Sequence, residues 1–159
     1  LDPLPVQTPH PPLWVAAFGP KALAQAGRLG LPYLASPMET MERLENNYAR
    51  HAEAAEEAGH AANATIPVMR TVFLASSSRQ SEQIRTRLHS EAEKTGRLGE
   101  GASVDDWTII GDRALVIDRI DEYRERLNVS HLIVTRRRIG GMERAEVEAS
   151  MSGLADIIN

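Results

Sequence analysis

The sequence predicts an α/β chain made of four parallel strand–helix units, and three observations carry that class. Apolar runs at residues 13–18, 31–35, 67–75 and 131–135 are continuous rather than alternating, the pattern of strands buried on both faces. Longer segments between them place apolar residues at helical spacing. Glycine and proline punctuate the joins. Strands that alternate with helices pair in parallel through right-handed crossovers. Such strands belong to a barrel wall or to an open doubly wound sheet, covered on both faces.

Residues 1–12 hold five prolines and no periodicity, so they form an extended lead-in. The run 13–18 is bounded by Pro12 and Gly19 and reads as the first strand. Pro20 suits the first turn of a helix whose apolar face is Ala22, Leu23, Ala26 and Leu29, and Gly30 ends it. The second strand, 31–35, leads through Ser36 and Pro37 into a long helix. That helix carries Met41, Leu44, Tyr48, Ala52 and Ala55 on one stripe and is closed by Gly59. After the third strand, 67–75, serines 76–78 open a charged helix to about Lys94. Residues 95–106 are glycine-rich and polar and read as a surface loop. Residues 107–110 are a short apolar segment. Asp112 is placed to cap a helix with Val116, Ile120, Tyr123 and Leu127 on one face. The fourth strand is 131–135, and the last helix aligns Val147, Met151, Leu154 and Ile158.

The chain has 159 residues, enough for one domain spanning 1–159 with its own core. It is 42% hydrophobic and 25% charged with a formal net charge of −4, which points away from nucleic acid and from an anionic membrane. It has no cysteine, which excludes disulfides, thiolate metal sites and a thiol nucleophile. That composition fits a reducing, cytoplasmic setting. No signal peptide or membrane-length apolar run is visible. The chain starts at Leu1 rather than methionine, and the expectation is that a piece precedes it. A closed eight-stranded barrel needs ~250 residues, and four of its eight units are present here.

Several stretches carry a family resemblance. PVQTPHPPLWVAAFGPKAL, AGRLGLPYLAS, IIGDRALVIDRIDEYRERLNVSHLIV and GGMERAEVEASMSGLADII resemble, in that order, the C-terminal half of the bacterial luciferase-like monooxygenase family. The resemblance implies the C-terminal half of a TIM (β/α)8 barrel, with the first four strands absent. It implies an oxidoreductase that uses reduced flavin and O2 on a small organic substrate. The cofactor would be FMN, or a deazaflavin in some members, bound at the C-terminal ends of the strands. The segment between Ala75 and Trp107 is shorter than is usual in this family, where the resemblance implies that the region carries the mobile loop covering the active site.

A strand running through Phe18, Gly19 and Pro20 into a helix exposes backbone N–H groups to an anion. Ala17, Phe18 and Gly19 fall where the family has its flavin-phosphate loop, and Ala22 lies in the first helical turn. No hydroxyl or carboxylate stands there, so backbone amides and the helix dipole would make the contact. The plainer reading is a strand-to-helix turn that needs glycine for close packing. Ser36, just past the second strand, either contacts flavin or substrate or caps the following helix; the cap is the simpler account. Arg136, Arg137 and Arg138 follow the fourth strand. Arg136 or Arg138 would meet a phosphate or anionic substrate, unless this is only a solvated basic turn.

Arg70 lies inside a strand and needs a partner if buried. It would face the barrel mouth or a chain interface. His89 and Glu93 have metal spacing but no third ligand, so they read as a solvated face and no metal is expected. His131 reads as hydrogen-bonded structure. No catalytic acid or base stands out, since the flavin carries the oxygen chemistry and the family's catalytic side chains lie largely in the other half. The alternatives are a non-catalytic half-barrel binding or assembly module, or an unrelated small α/β domain. The expected partners are flavin and the N-terminal half of the barrel or a second copy of this chain, because open sheet edges and an uncovered apolar face invite association.

Overall fold

A computed structural model describes residues 6–61, 65–95, 103–135 and 141–158. In chain order the elements are β1 (Val15–Ala16), α1 (Pro20–Arg28), β2 (Tyr33–Leu34), α2 (Met41–Glu57), β3 (Pro67–Leu74), α3 (Ser78–Thr95), a single 3-10 turn (Val104–Asp106), β4 (Thr108–Gly111), α4 (Arg113–Leu127), β5 (His131–Thr135) and α5 (Arg144–Ile158). The lead-in, from residue 6, carries no helix or strand.

Every strand pair is parallel, as expected. The count of strands is not. The apolar segment after the loop is a fifth strand, β4, and the sheet order is β4-β3-β5 with β1-β2 as a separate pair. The four expected strands therefore do not form one consecutive ladder. β3 is long enough to serve two partners. Its first half pairs with β5, from Pro67↔His131 to Thr71↔Thr135. Its second half pairs with β4, from Thr71↔Thr108 to Leu74↔Gly111. All four β4 residues are buried, which a loop segment could not sustain without backbone partners.

β1 and β2 are shorter than the apolar runs that predict them. Pro32 has no N–H to give, so the pairing on β2 begins at Tyr33. Val15 N donates to the Pro32 carbonyl at 2.8 Å, and the pairing stops at Ala16↔Leu34. No backbone ladder joins β2 to β3 among the described residues. Tyr48 of α2 fills that role. Its hydroxyl lies 2.6 Å from the Pro67 carbonyl and 3.3 Å from that of Tyr33. Its single proton goes to the nearer oxygen.

The core has two parts. One face of the sheet, with Tyr33, Val68 and Val72, packs on Leu44 of α2, on Val116, Ile120 and Tyr123 of α4, and on Leu154 of α5. Phe73 and Ile110 pack with Ile84 and Leu88 of α3 and with Trp107. Full burial of each such side chain contributes about 1.5–3 kcal/mol. α1 lies close on α2 because residue 27 is glycine: a Cβ there would come 2.4 Å from the His51 carbonyl oxygen.

Helix starts follow local chemistry. Asp112 caps α4 by accepting from Leu115 N at 3.0 Å, as expected. For α2 the cap is Thr40, which accepts from Arg43 N at 3.3 Å; Ser36 is not the cap. The turn at Val104–Asp106 begins in a capping box between Ser103 and Asp106, so the described end of the expected loop is ordered.

On the opposite face α3 covers the C-terminal half of β3 and β4 at Phe73 and Ile110, while the part nearer the N-terminal ends is less covered. Ala16 sits beside Leu34, and Met69 beside Ile133, in register. Ala16 is exposed and the other three are half-buried. At the N-terminal ends of the outer strands, Trp14 packs edge-on against His131 with ring centroids 5.2 Å apart.

Candidate functional site

The first feature of the site is the turn between β1 and α1. Gly19 occupies the N-cap position with φ 81 and ψ 166, and no side chain caps the helix. That combination is open to glycine and almost no other residue. A Cβ on Gly19 would meet nothing within 4 Å. Glycine is present here for its backbone angles and not for close packing. The N–H groups of Lys21 and Ala22, in the first turn, have no acceptor within the helix. No acidic side chain stands in that turn, so the positive end of the helix dipole is unopposed.

Beside this turn lies a cleft of about 400 Å³ lined by Phe18, Ser36, Met38, Glu39 and Arg43. It sits at the C-terminal ends of β1 and β2. Phe18 is 72% exposed and forms the rim. The wall is the short segment between β2 and α2. Glu39, buried at 8% exposure, holds that segment together. Its Oε2 accepts from the Tyr33 hydroxyl at 2.6 Å and from Ser36 N at 3.0 Å. Its Oε1 accepts from Asn47 Nδ2 at 3.0 Å. Burial first, and then the hydrogen bond to the Glu39 carboxylate, push the Tyr33 hydroxyl well above the usual tyrosine range. Burial likewise raises the Tyr48 hydroxyl, partly offset by the nearby Arg70 charge.

The structure brings Phe18, Gly19 and Ser36 to one place. Phe18 and Ser36 line the cleft, and Gly19 begins the helix beside it. The side chains of Ala17 and Ala22 turn into the core, so those residues can offer only backbone groups to the site. Arg136, Arg137 and Arg138 lie outside the described residues. Arg70 points neither into a barrel mouth nor across an interface: it is wholly buried among α4 and the segment after β2. His89 and Glu93 form an exposed pair at 3.6 Å. Among the described residues no group of three His, Cys, Asp or Glu is placed to hold a metal. His131 Nδ1 meets Ser130 Oγ at 2.9 Å, a structural bond as expected.

Sequence reasoning missed Glu39, Met38 and Arg43. The available signal was a lone carboxylate between an aromatic strand and a helix start, at Tyr33, Glu39 and Thr40. The partners that bury it lie six and eight residues away and become visible only once α2 folds back on β2.

Comparison with known proteins points one way. The family described as luciferase-like monooxygenase matches residues 1–129. No curated protein sequence matches. Among solved structures, monooxygenase RslO1 from Streptomyces bottropensis aligns with a TM-score of 0.71 at 21% identity, over 99% of this chain and 50% of that one. The oxygenating constituent of 3,6-diketocamphane monooxygenase from Pseudomonas putida, solved in complex with FMN, aligns at 0.68 and 17%, over 93% and 48%. The coenzyme F420 dependent tetrahydromethanopterin reductase from Methanopyrus kandleri aligns at 0.61 and 18%, over 89% and 49%. At these identities the likeness establishes the fold. The chain spans about half the length of each of these three structures.

Proposed function

We propose, from the premise that this chain belongs to the luciferase-like monooxygenase family, that it forms the C-terminal half of a TIM barrel that binds reduced flavin and turns it with O2 on a small organic substrate. The cofactor is FMN, or a deazaflavin as the alternative. The observation that carries this reading is the start of α1. Gly19 leaves open space over the uncapped amides of the first helical turn, and a phosphate is the anion such a geometry accepts. The residues present therefore fit the group. Lys21 and Ala22 would hold its phosphate through their N–H groups, and Phe18 and Ser36 would border the chain that leads from it. Arg136 and Arg138 remain candidates for contact with an anionic substrate.

Bound reduced flavin supplies the electrons for the reaction. This half of the barrel supplies position and exclusion of water. The incompletely buried patch of Ala16, Leu34, Met69 and Ile133 supports a partner that closes the barrel, either the N-terminal half or a second copy of this chain. Among the described residues no helix is long and apolar enough to cross a membrane. A cytoplasmic setting belongs to this proposal on the cysteine-free composition.

The test is a fluorescence titration of FMN with the full-length protein and its Gly19→Glu variant. A carboxylate over the helix start should weaken binding about tenfold or more, which is ~1.4 kcal/mol. Unchanged affinity would overturn the phosphate site. A parallel titration with a deazaflavin separates the two cofactors. Binding of neither would favour the non-catalytic half-barrel module.

A further inference from the structure

We infer that Arg70 is a positioning residue for the cleft, although it does not line it. The inference rests on the proposed function of that cleft. Arg70 occupies a core position of β3, on the same face as Val68 and Val72, and is 0% exposed. No carboxylate forms an ion pair with it among the described residues. A buried cation with no directly paired carboxylate is costly, and a hydrophobic residue of similar volume commonly replaces buried ionic groups with no loss of stability. Packing alone therefore does not call for arginine here.

What the guanidinium does is specific. Nε donates to the Tyr123 hydroxyl of α4 at 2.6 Å. Nη1 donates to the Met69 carbonyl at 2.8 Å and to that of Ser36 at 3.3 Å, and Nη2 donates to the Glu39 carbonyl at 2.8 Å. Two of its four acceptors, the Ser36 and Glu39 carbonyls, thus belong to the segment that walls the cleft. The same segment is tied from its other side, where the Glu39 carboxylate accepts from Ser36 N. Only a planar fork of five donors can hold Ser36, Glu39 and Tyr123 at once. Arg70 joins the cleft wall to β3 and α4, and so fixes where the Ser36 hydroxyl and the Met38 side chain stand. It acts on ligand binding through those residues without touching the ligand.

Amide hydrogen exchange and flavin titration of the full-length protein test this in Arg70→Lys, Arg70→Met and Tyr123→Phe. In Arg70→Lys the ammonium reaches at most part of the acceptor set. Exchange at the Ser36 and Glu39 amides should rise about tenfold or more, with exchange at Val72 in β3 unchanged and flavin affinity reduced by a similar factor. Arg70→Met should do the same while keeping its unfolding midpoint near that of the native protein. If Arg70→Met does not fold, Arg70→Lys and Tyr123→Phe carry the test, the latter with a smaller local rise. Uniform acceleration across β3, or native exchange at Ser36 and Glu39 in Arg70→Lys, would overturn the inference. The exchange readout needs no cofactor. Failure to bind any flavin would sink the proposed function and leave the exchange result standing.

Discussion

Replacing Gly19 with alanine is the most direct probe of the helix start, because the structure separates its two possible costs. A Cβ at this position meets nothing within 4 Å, so there is no clash and no packing to gain. The backbone angles, φ 81 and ψ 166, remain. Holding an L-residue there costs about 1–3 kcal/mol. Relaxing φ to negative values instead would turn the entry to α1 and strain the Leu23 N to Gly19 O bond, now 3.2 Å. Either route lowers stability. With a urea slope near 2 kcal/mol per molar, the unfolding midpoint should fall by roughly 0.5–1.5 M. Far-ultraviolet circular dichroism follows the helices, and Trp14 and Trp107 report the tertiary transition. A midpoint within error of the native value would refute the argument that backbone geometry selects glycine here, and would weaken the anion site built on it.

Other outcomes follow from the same geometry. Gly27→Ala gains up to ~1 kcal/mol of helix propensity. Against that stands an overpacking cost of about 1–3 kcal/mol, since the His51 carbonyl 2.4 Å from the new Cβ is backbone and cannot swing away, so the variant should be less stable by up to about 2 kcal/mol; a raised melting temperature would contradict this. Thr40→Ala should cost about 0.5–2 kcal/mol by removing the cap of α2, whereas Ser36→Ala should leave the helix start intact in chemical-shift data. For Tyr33 and Tyr48 the folded pKa is raised. Below about pH 10 both states keep the phenolic protons and stability does not change on their account. Above it the unfolded chain ionises first and binds fewer protons, so stability falls by up to ~1.4 kcal/mol per pH unit for each tyrosine. Tyr33→Phe should remove its share of that slope, and an alkaline profile equally steep in the variant would show that Tyr33 is not a source.

The parts of this fold that could be read from the sequence are those set by local pattern. Proline and glycine bounded β1 and α1, and the apolar stripe of α4 from Val116 to Leu127 is the one that packs. The parallel pairing also followed, from strand–helix alternation. What escaped was set by competition for partners. β3 has eight residues, more than β5 can pair, and the remainder took β4 as a second neighbour. Nothing in the four residues of β4 distinguishes a strand from a buried turn until that edge is known. The cap of α2 moved from Ser36 to Thr40 for a similar reason: Pro37 and the Glu39 carboxylate draw Ser36 into the preceding turn, and Thr40 is the next hydroxyl in line. The cleft was half legible. Phe18, Gly19 and Ser36 come from turn chemistry, whereas Glu39, Asn47 and Arg70 depend on contacts between elements up to 53 residues apart.

The two ends of the sheet also bear on how the barrel would close. The expected partner strands would pair at β1 and at β5, an edge strand of each of the two sheets. At their N-terminal ends, however, the two outer strands already meet, with Trp14 seated against His131. The apolar patch above that contact, from Ala16 and Leu34 across to Met69 and Ile133, is exposed at Ala16 and only half-buried at the other three. A completing half would have to part Trp14 from His131 to enter between β1 and β5. That exchange costs one aromatic contact, worth about 0.5–1.5 kcal/mol beyond its area. Each fully buried aliphatic side chain on the inner face returns about 1.5–3 kcal/mol. The C-terminal ends of β1 and β2, where the cleft and the uncapped amides lie, would then come to face the interior that the two halves share.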